Sequence, residues 1–226
     1  MGFHKYFCAW KYVRLKEKTF SFFGVKELAC ELQKTRKAIK MIISVINKKG
    51  GVGKTSFAFS IAKDLGLYLQ SNDASVIESI YPNKAKILEE PKLCDNCVFD
   101  FGGFVSKGVL EIAKESDCVL VPCVAHYNSI LRTIETINEI RAVNSKILVL
   151  NTNFTLESQR EQVENLLSEK FDNLEFFRFR QSRIIENSVA SASSFLELAN
   201  ENPLAKVSYK NFMSEYERLL KTLKNI

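Results

Sequence analysis

No apolar run in this 226-residue chain approaches the ~20 residues that a membrane-crossing helix needs, so an ordinary transmembrane span is excluded. A secretory signal is also lacking: the N-terminus is aromatic and basic, without a continuous apolar segment. Six cysteines in such a chain are expected as reduced thiols in a cytoplasm, not as a disulfide framework. Positive charge is missing where the net +6 would suggest it. Residues 1–40 hold ten Lys or Arg against three Glu, so the remaining residues carry a net −1. A near-neutral body behind a basic leader is a different electrostatic object from a basic domain. Glycine is scarce, at nine residues, yet three of the nine fall between positions 50 and 53.

What is present organises around residues 41–56. Met41 to Ile46 is a short, β-branched apolar run that reads as a buried strand. Gly50, Gly51, Val52 and Gly53 follow, then Lys54, Thr55 and Ser56 open a helical pattern. Strand, glycine loop, Lys-Thr and helix is the context of a phosphate-binding loop. Without Cβ atoms the backbone N–H groups can curl around phosphate oxygens, and the helix N-terminus adds partial positive charge. Lys54 would reach the β- and γ-phosphates, and the Thr55 hydroxyl would ligate Mg²⁺.

The ordinary motif places glycine at position 48, where this chain has lysine, and a second lysine, Lys49, enters the loop. Lys49-Gly50-Gly51-Val52-Gly53-Lys54-Thr55 resembles the deviant Walker A motif of the ParA/MinD family of partition and positioning ATPases. The resemblance implies ATP and Mg²⁺ as cofactors and a nucleotide-sandwiched homodimer. In it Lys49 would reach the partner's phosphates, stabilising the transferring phosphoryl group as an arginine finger does. It also implies an α/β fold: a doubly wound, mostly parallel sheet with helices on both faces.

The later elements extend the resemblance over residues 41–224. A helix through Phe57, Ile61 and Leu65 should stop at Gly66, and a strand at Leu67–Leu69 should lead to Asp73. The family's second strand ends in Asp-x-Asp; Asp73 matches the second aspartate, which orients the attacking water, whereas Ser71 and Ala74 depart from the pattern. The alternative for Asp73 is a surface turn. Residues 74–95 read as polar and irregular. Cys97 to Phe101 is an apolar strand with Asp100 at the Walker B position, a second candidate for holding Mg²⁺, although Phe101-Gly102-Gly103 replaces the family's usual continuation. Helix 104–113, strand 118–123, helix 130–140 and a strand from Lys146 ending at Asn151 continue the alternation that marks a covered parallel sheet. The resemblance puts Asn151 against the adenine; otherwise it is a loop asparagine. A helix at 156–171 and a strand at 174–179 follow.

Arg178, Arg180, Arg183, Lys206 and Lys210 lie where partition ATPases bind DNA nonspecifically, and solvation is the competing explanation, since nine bases from position 170 onward meet seven acids. The last helix, with Phe212, Tyr216, Leu219, Leu220 and Leu223, reads as core rather than a membrane-targeting tail. Cys94-x-x-Cys97 with Cys118 and Cys123 could suggest zinc, but three of the four fall in core strands.

Residues 1–40 form a leader, aromatic and basic from Phe3 to Phe23 and then helical along Val25, Leu28, Ala29 and Leu32. Residues 41–226 form the ATPase domain. The catalytic set expected is Lys49, Lys54, Asp73 and Asp100. The expected function is DNA segregation: an ATP-bound dimer on nonspecific DNA, nucleoid-associated, released when a ParB-like or other partner stimulates a slow hydrolysis. The alternative is a positioning ATPase acting at a membrane or protein assembly.

Overall fold

The computed structural model describes residues 40–103 and 107–226. The leader readings, including the helix from Val25, lie outside the described residues, as do 104–106 at the start of the expected helix. Residues 40–226 pack as one unit.

Seven strands form one sheet: β1 (Ile42–Ile46), β2 (Tyr68–Ser71), β3 (Ala85–Ile87), β4 (Cys97–Phe101), β5 (Cys118–Val124), β6 (Ile147–Phe154) and β7 (Glu175–Arg180). Their order is β3-β2-β4-β1-β5-β6-β7, and every pairing is parallel. The expected doubly wound α/β fold is therefore present. β1 lies between β4 and β5, and the glycine loop leaves its carboxyl end, the side on which open α/β sheets bind ligands.

Alternation along the strands explains the burial on both faces. On β1, Ile43 and Val45 point into one apolar cluster, and Ile42 and Ile46 into the other. The first cluster is covered by α1 (Lys54–Leu65), α6 (Ile184–Ala190), α7 (Phe195–Asn200) and α9 (Lys210–Lys224). The second lies under α3 (Lys107–Glu115), α4 (Tyr127–Arg141) and α5 (Glu157–Ser168). Two short helices, α2 (Ile77–Ile80) and α8 (Pro203–Ser208), complete the described elements.

Gly66 ends α1 in the left-handed region, with φ of 72°, as the sequence suggests. Phe212, Tyr216, Leu219, Leu220 and Leu223 of α9 are all buried, so this helix packs into the core. Cys97, Cys118 and Cys123 are buried in β4 and β5, and burial pushes the Cys118 thiol up to about 12.

Two elements differ from the sequence reading. The stretch read as irregular, 74–95, contains α2 and the edge strand β3, which pairs with β2. Three residues with a lysine at their centre carry too little periodicity to announce a strand, and a charged residue is what an exposed edge favours. The strand expected to stop at Asn151 runs on to Phe154 through the polar Thr152 and Asn153.

Candidate functional site

Asn47, the first residue after β1, anchors the loop. It is fully buried; its Nδ2 donates to the Pro122 carbonyl and to Thr133 Oγ1, each at 2.7 Å, and its Oδ1 accepts the Lys49 N–H at 2.9 Å. The Lys48 N–H donates to Thr136 Oγ1 at 3.1 Å, and the Lys48 ammonium pairs with Glu139. The loop therefore leaves β1 fastened to β5 and α4 before its first glycine. No motif marks Asn47; its signal in the sequence is a polar residue standing between an apolar strand and the glycine loop. We predict that Asn47→Ala lowers unfolding stability by about 1–3 kcal/mol, because buried partners are left unpaired. Chemical denaturation checks it.

Gly51 and Gly53 adopt φ of 74° and 92°, the left-handed region that a side chain would strain. The Gly53 carbonyl accepts the Phe57 N–H at 3.1 Å, so the loop passes directly into α1. Lys54 Nζ donates to the Lys49 carbonyl at 3.1 Å, folding the lysine back over the loop. Burial pushes the Lys54 ammonium below its ordinary range, while Asp100 and Asp73 pull it back up.

Thr55 Oγ1 donates to Asp100 Oδ2 at 2.7 Å. Asp100 is 2% exposed, and burial lifts its carboxyl to about 6, against the opposing pull of the Thr55 hydrogen bond and of Lys54. A hydroxyl and a carboxylate held together at the mouth of the glycine loop are the kind of oxygen donors that a hard divalent cation accepts. Asp73 is exposed just beyond β2, yet its charge acts on both Lys54 and Asp100. The structure thus brings Lys49, Lys54, Thr55, Asp73 and Asp100 together at the carboxyl end of the sheet.

The glycines after Asp100 have a steric reason. A Cβ on Gly103 would lie 2.8 Å from the Lys48 carbonyl oxygen, and one on Gly102 would lie 3.0 Å from the Asp73 Cβ. The loop after β4 therefore runs close under the glycine loop and against the bend that carries Asp73.

A cavity of about 200 Å³ lies beside the loop, lined by Gly53, Ser56, Thr152, Asn153, Ser182 and Glu186 among others. Asn151 does not line it. That side chain is fully buried inside the sheet, where its Nδ2 donates to the Arg160 carbonyl at 3.1 Å. Thr152 is buried as well, its Oγ1 donating to the Val52 carbonyl at 3.2 Å, and Asn153 is the exposed residue of this end of β6. The strand end expected at Asn151 falls three residues short of Phe154, where β6 stops, and Asn153 is the asparagine of this run that lines the cavity.

The basic candidates separate. Arg178 is held by both carboxylate oxygens of Glu164 at 2.9 Å, and Arg180 donates to Glu157 at 2.9 Å. Arg183 is exposed at the start of α6; Lys206 and Lys210, on α8 and α9, border a shallow depression with Leu196 and Met213.

No protein-family model and no curated protein matches the sequence. Solved structures do. An ATP complex of a variant McdA from Cyanothece superposes with a TM-score of 0.57 at 14% identity, covering 83% of this chain and 97% of that one. A Borrelia burgdorferi plasmid partition protein bound to AMPPNP gives 0.56 at 14% identity, covering 81% and 99%. The Aquifex aeolicus cell division protein MinD gives 0.56 at 14% identity, covering 80% and 97%. The fold of this chain is that of the ParA/MinD ATPases.

Proposed function

We propose that this chain is a nucleotide-switched ATPase of the ParA/MinD kind that dimerises on ATP and segregates DNA. The observation that carries the reading is the meeting of Lys54, Thr55 and Asp100 at a glycine loop with left-handed Gly51 and Gly53. Backbone N–H groups of Gly50–Ser56 would cradle the phosphates, with Lys54 reaching the β/γ side. Thr55 and Asp100 would hold Mg²⁺, which neutralises charge on the phosphates when bound. Asp73 would orient the attacking water, and Lys49 would act across the dimer. Catalysis built from positioning and charge suits a slow reaction that a partner accelerates. The plasmid partition and cell division proteins among the structural neighbours agree with this class.

DNA is the first assignment for the ATP-bound dimer, through Arg183, Lys206 and Lys210 with Arg178 and Arg180, at the nucleoid. A second reading, positioning of a protein cargo or a membrane-bound assembly, is favoured by a specific observation: Arg178 and Arg180 are already neutralised by Glu164 and Glu157. Phosphates would have to displace those carboxylates.

The deciding measurement is DNA binding with ADP and with a poorly hydrolysed ATP analogue, at two salt concentrations, with light scattering for mass. We expect a dimer and a salt-sensitive DNA shift only with the ATP analogue, both lost in Lys49→Ala. A dimer that ignores DNA favours cargo positioning, and a monomer under both nucleotides removes the role given to Lys49.

A further inference from the structure

We propose that Asn72 is a positioning residue for hydrolysis. Its side-chain amide ties the end of β2 to the end of β4 and so fixes the Asp73 carboxylate beside the phosphate loop. This rests on the nucleotide-hydrolysis reading above and names the residue on which that site depends for its order. In the motif that the sequence resembles, position 72 is the unspecified one between the two acidic positions, so the resemblance gives Asn72 no role.

Asp73 presents the problem that the proposal answers. A group that orients water must be held to within a fraction of an ångström, but Asp73 is exposed on a bend after a four-residue strand. The two residues before it, Ser71 and Asn72, restrain it. Ser71, which pairs with Asp100 in the β2–β4 register, accepts the Asp73 N–H on Oγ at 3.1 Å and lies 3.3 Å from the Asp73 carbonyl oxygen. This fixes the backbone of Asp73 relative to its own strand only.

Asn72 makes the connection between strands: its Oδ1 accepts the Gly102 N–H at 2.6 Å. Gly102 lies two residues beyond Asp100. With no Cβ there, the Asp73 side chain can lie against it; a methyl group would meet Asp73 Cβ at 3.0 Å and Oδ2 at 3.2 Å. The hydrogen bond to the Asn72 amide oxygen and the missing Cβ work as a pair. One draws the two loop ends together, and the other leaves room for the carboxylate between them. The neighbouring Gly103 packs under the Lys48 carbonyl, so the same clasp also sets the distance from Asp73 to the phosphate loop.

Asn72→Ala and Asn72→Asp in the full chain test the proposal, because the aspartate keeps an acceptor oxygen at the same reach. Three readouts apply: affinity for MgATP, cleavage of radiolabelled ATP under single-turnover conditions, and amide hydrogen exchange with and without MgATP. We expect Asn72→Ala to bind MgATP as the parent does, to cleave it roughly 10- to 100-fold more slowly, and to recover most of the rate as Asn72→Asp. MgATP should slow exchange at 48–56 in all three proteins, but at 101–103 only in the parent and the aspartate variant. Unchanged cleavage in Asn72→Ala would overturn the proposal. So would equal losses of affinity and rate that the aspartate does not rescue, since those mark a merely structural residue. If the parent binds MgATP without measurable cleavage, exchange at 101–103 decides: protection that survives in Asn72→Ala overturns the clasp. A parent that shows neither MgATP affinity nor protection at 48–56 would sink the nucleotide reading itself, and the role of Asn72 with it.

Discussion

Asp100→Asn should abolish most ATP turnover while making the nucleotide-free protein more stable at pH 8. The two effects have one origin. Asp100 is buried at the end of β4, and burial raises its carboxyl to about 6 from an ordinary 3.8. At pH 8 the folded protein must therefore hold an anion that the unfolded chain ionises more easily. A shift of about two pKa units corresponds to roughly 3 kcal/mol of lost stability, an upper bound because Lys54 would lose a counter-charge in the variant. The folded state takes up the proton first, so the deficit shrinks as pH falls through about 6 and is gone below about 4, where both states are protonated. Thermal unfolding of parent and variant should thus show the largest gap at pH 8 and a shrinking one toward pH 4.5. A gap independent of pH would mean that the Asp100 carboxyl is not the cause. Turnover should fall by roughly 10²–10³, the usual cost of removing one preorganised electrostatic group from such a site. The amide cannot supply the charge that Thr55 and Asp100 together would offer to Mg²⁺. Phosphate release at saturating MgATP measures it, and near-parental turnover would move the cation away from Asp100.

Phe57→Ala should unfold the protein more readily by about 3–5 kcal/mol, the range for emptying a buried aromatic site. Phe57 is fully buried on the first turn of α1, three residues after Lys54. Its ring packs edge-on against Phe179 of β7 at 4.8 Å and Phe195 of α7 at 5.2 Å, with Phe212 of α9 at 6.2 Å. These partners come from far along the chain and are themselves in contact, Phe179–Phe212 and Phe195–Phe212 both at 5.0 Å. Small side chains cannot close such a gap without moving a helix, so the cavity term should be large. The same ring lies within 3.6 Å of where a Cβ on Gly53 would be. Its loss should therefore loosen the loop and weaken nucleotide affinity as well. Guanidine denaturation tests the first effect and titration with MgATP the second. A stability change below about 1 kcal/mol would show that the cluster repacks without cost.

The sequence alone determined the elements with strong periodicity and the loop between β1 and α1. Met41–Ile46 is apolar at every position but Ser44 because β1 is buried on both faces, and Gly50, Gly51, Gly53, Lys54 and Thr55 follow at a spacing that only a few conformations satisfy. The place of Asp100 near the end of β4 was legible for the same reason: it is the one acid in an otherwise apolar run. The end of β6 was not legible. Strand length beyond the last apolar residue depends on pairing with β5 and β7, which no local pattern records. Nor was β3, which exists because β2 offers it a free edge. The burial of Asn47, the tie from Asn72 to Gly102 and the pairing of Arg178 with Glu164 join residues 86, 30 and 14 positions apart. Only the tertiary structure decided those, because a polar side chain's role is set by the partners the fold brings to it, and the sequence near it does not name them.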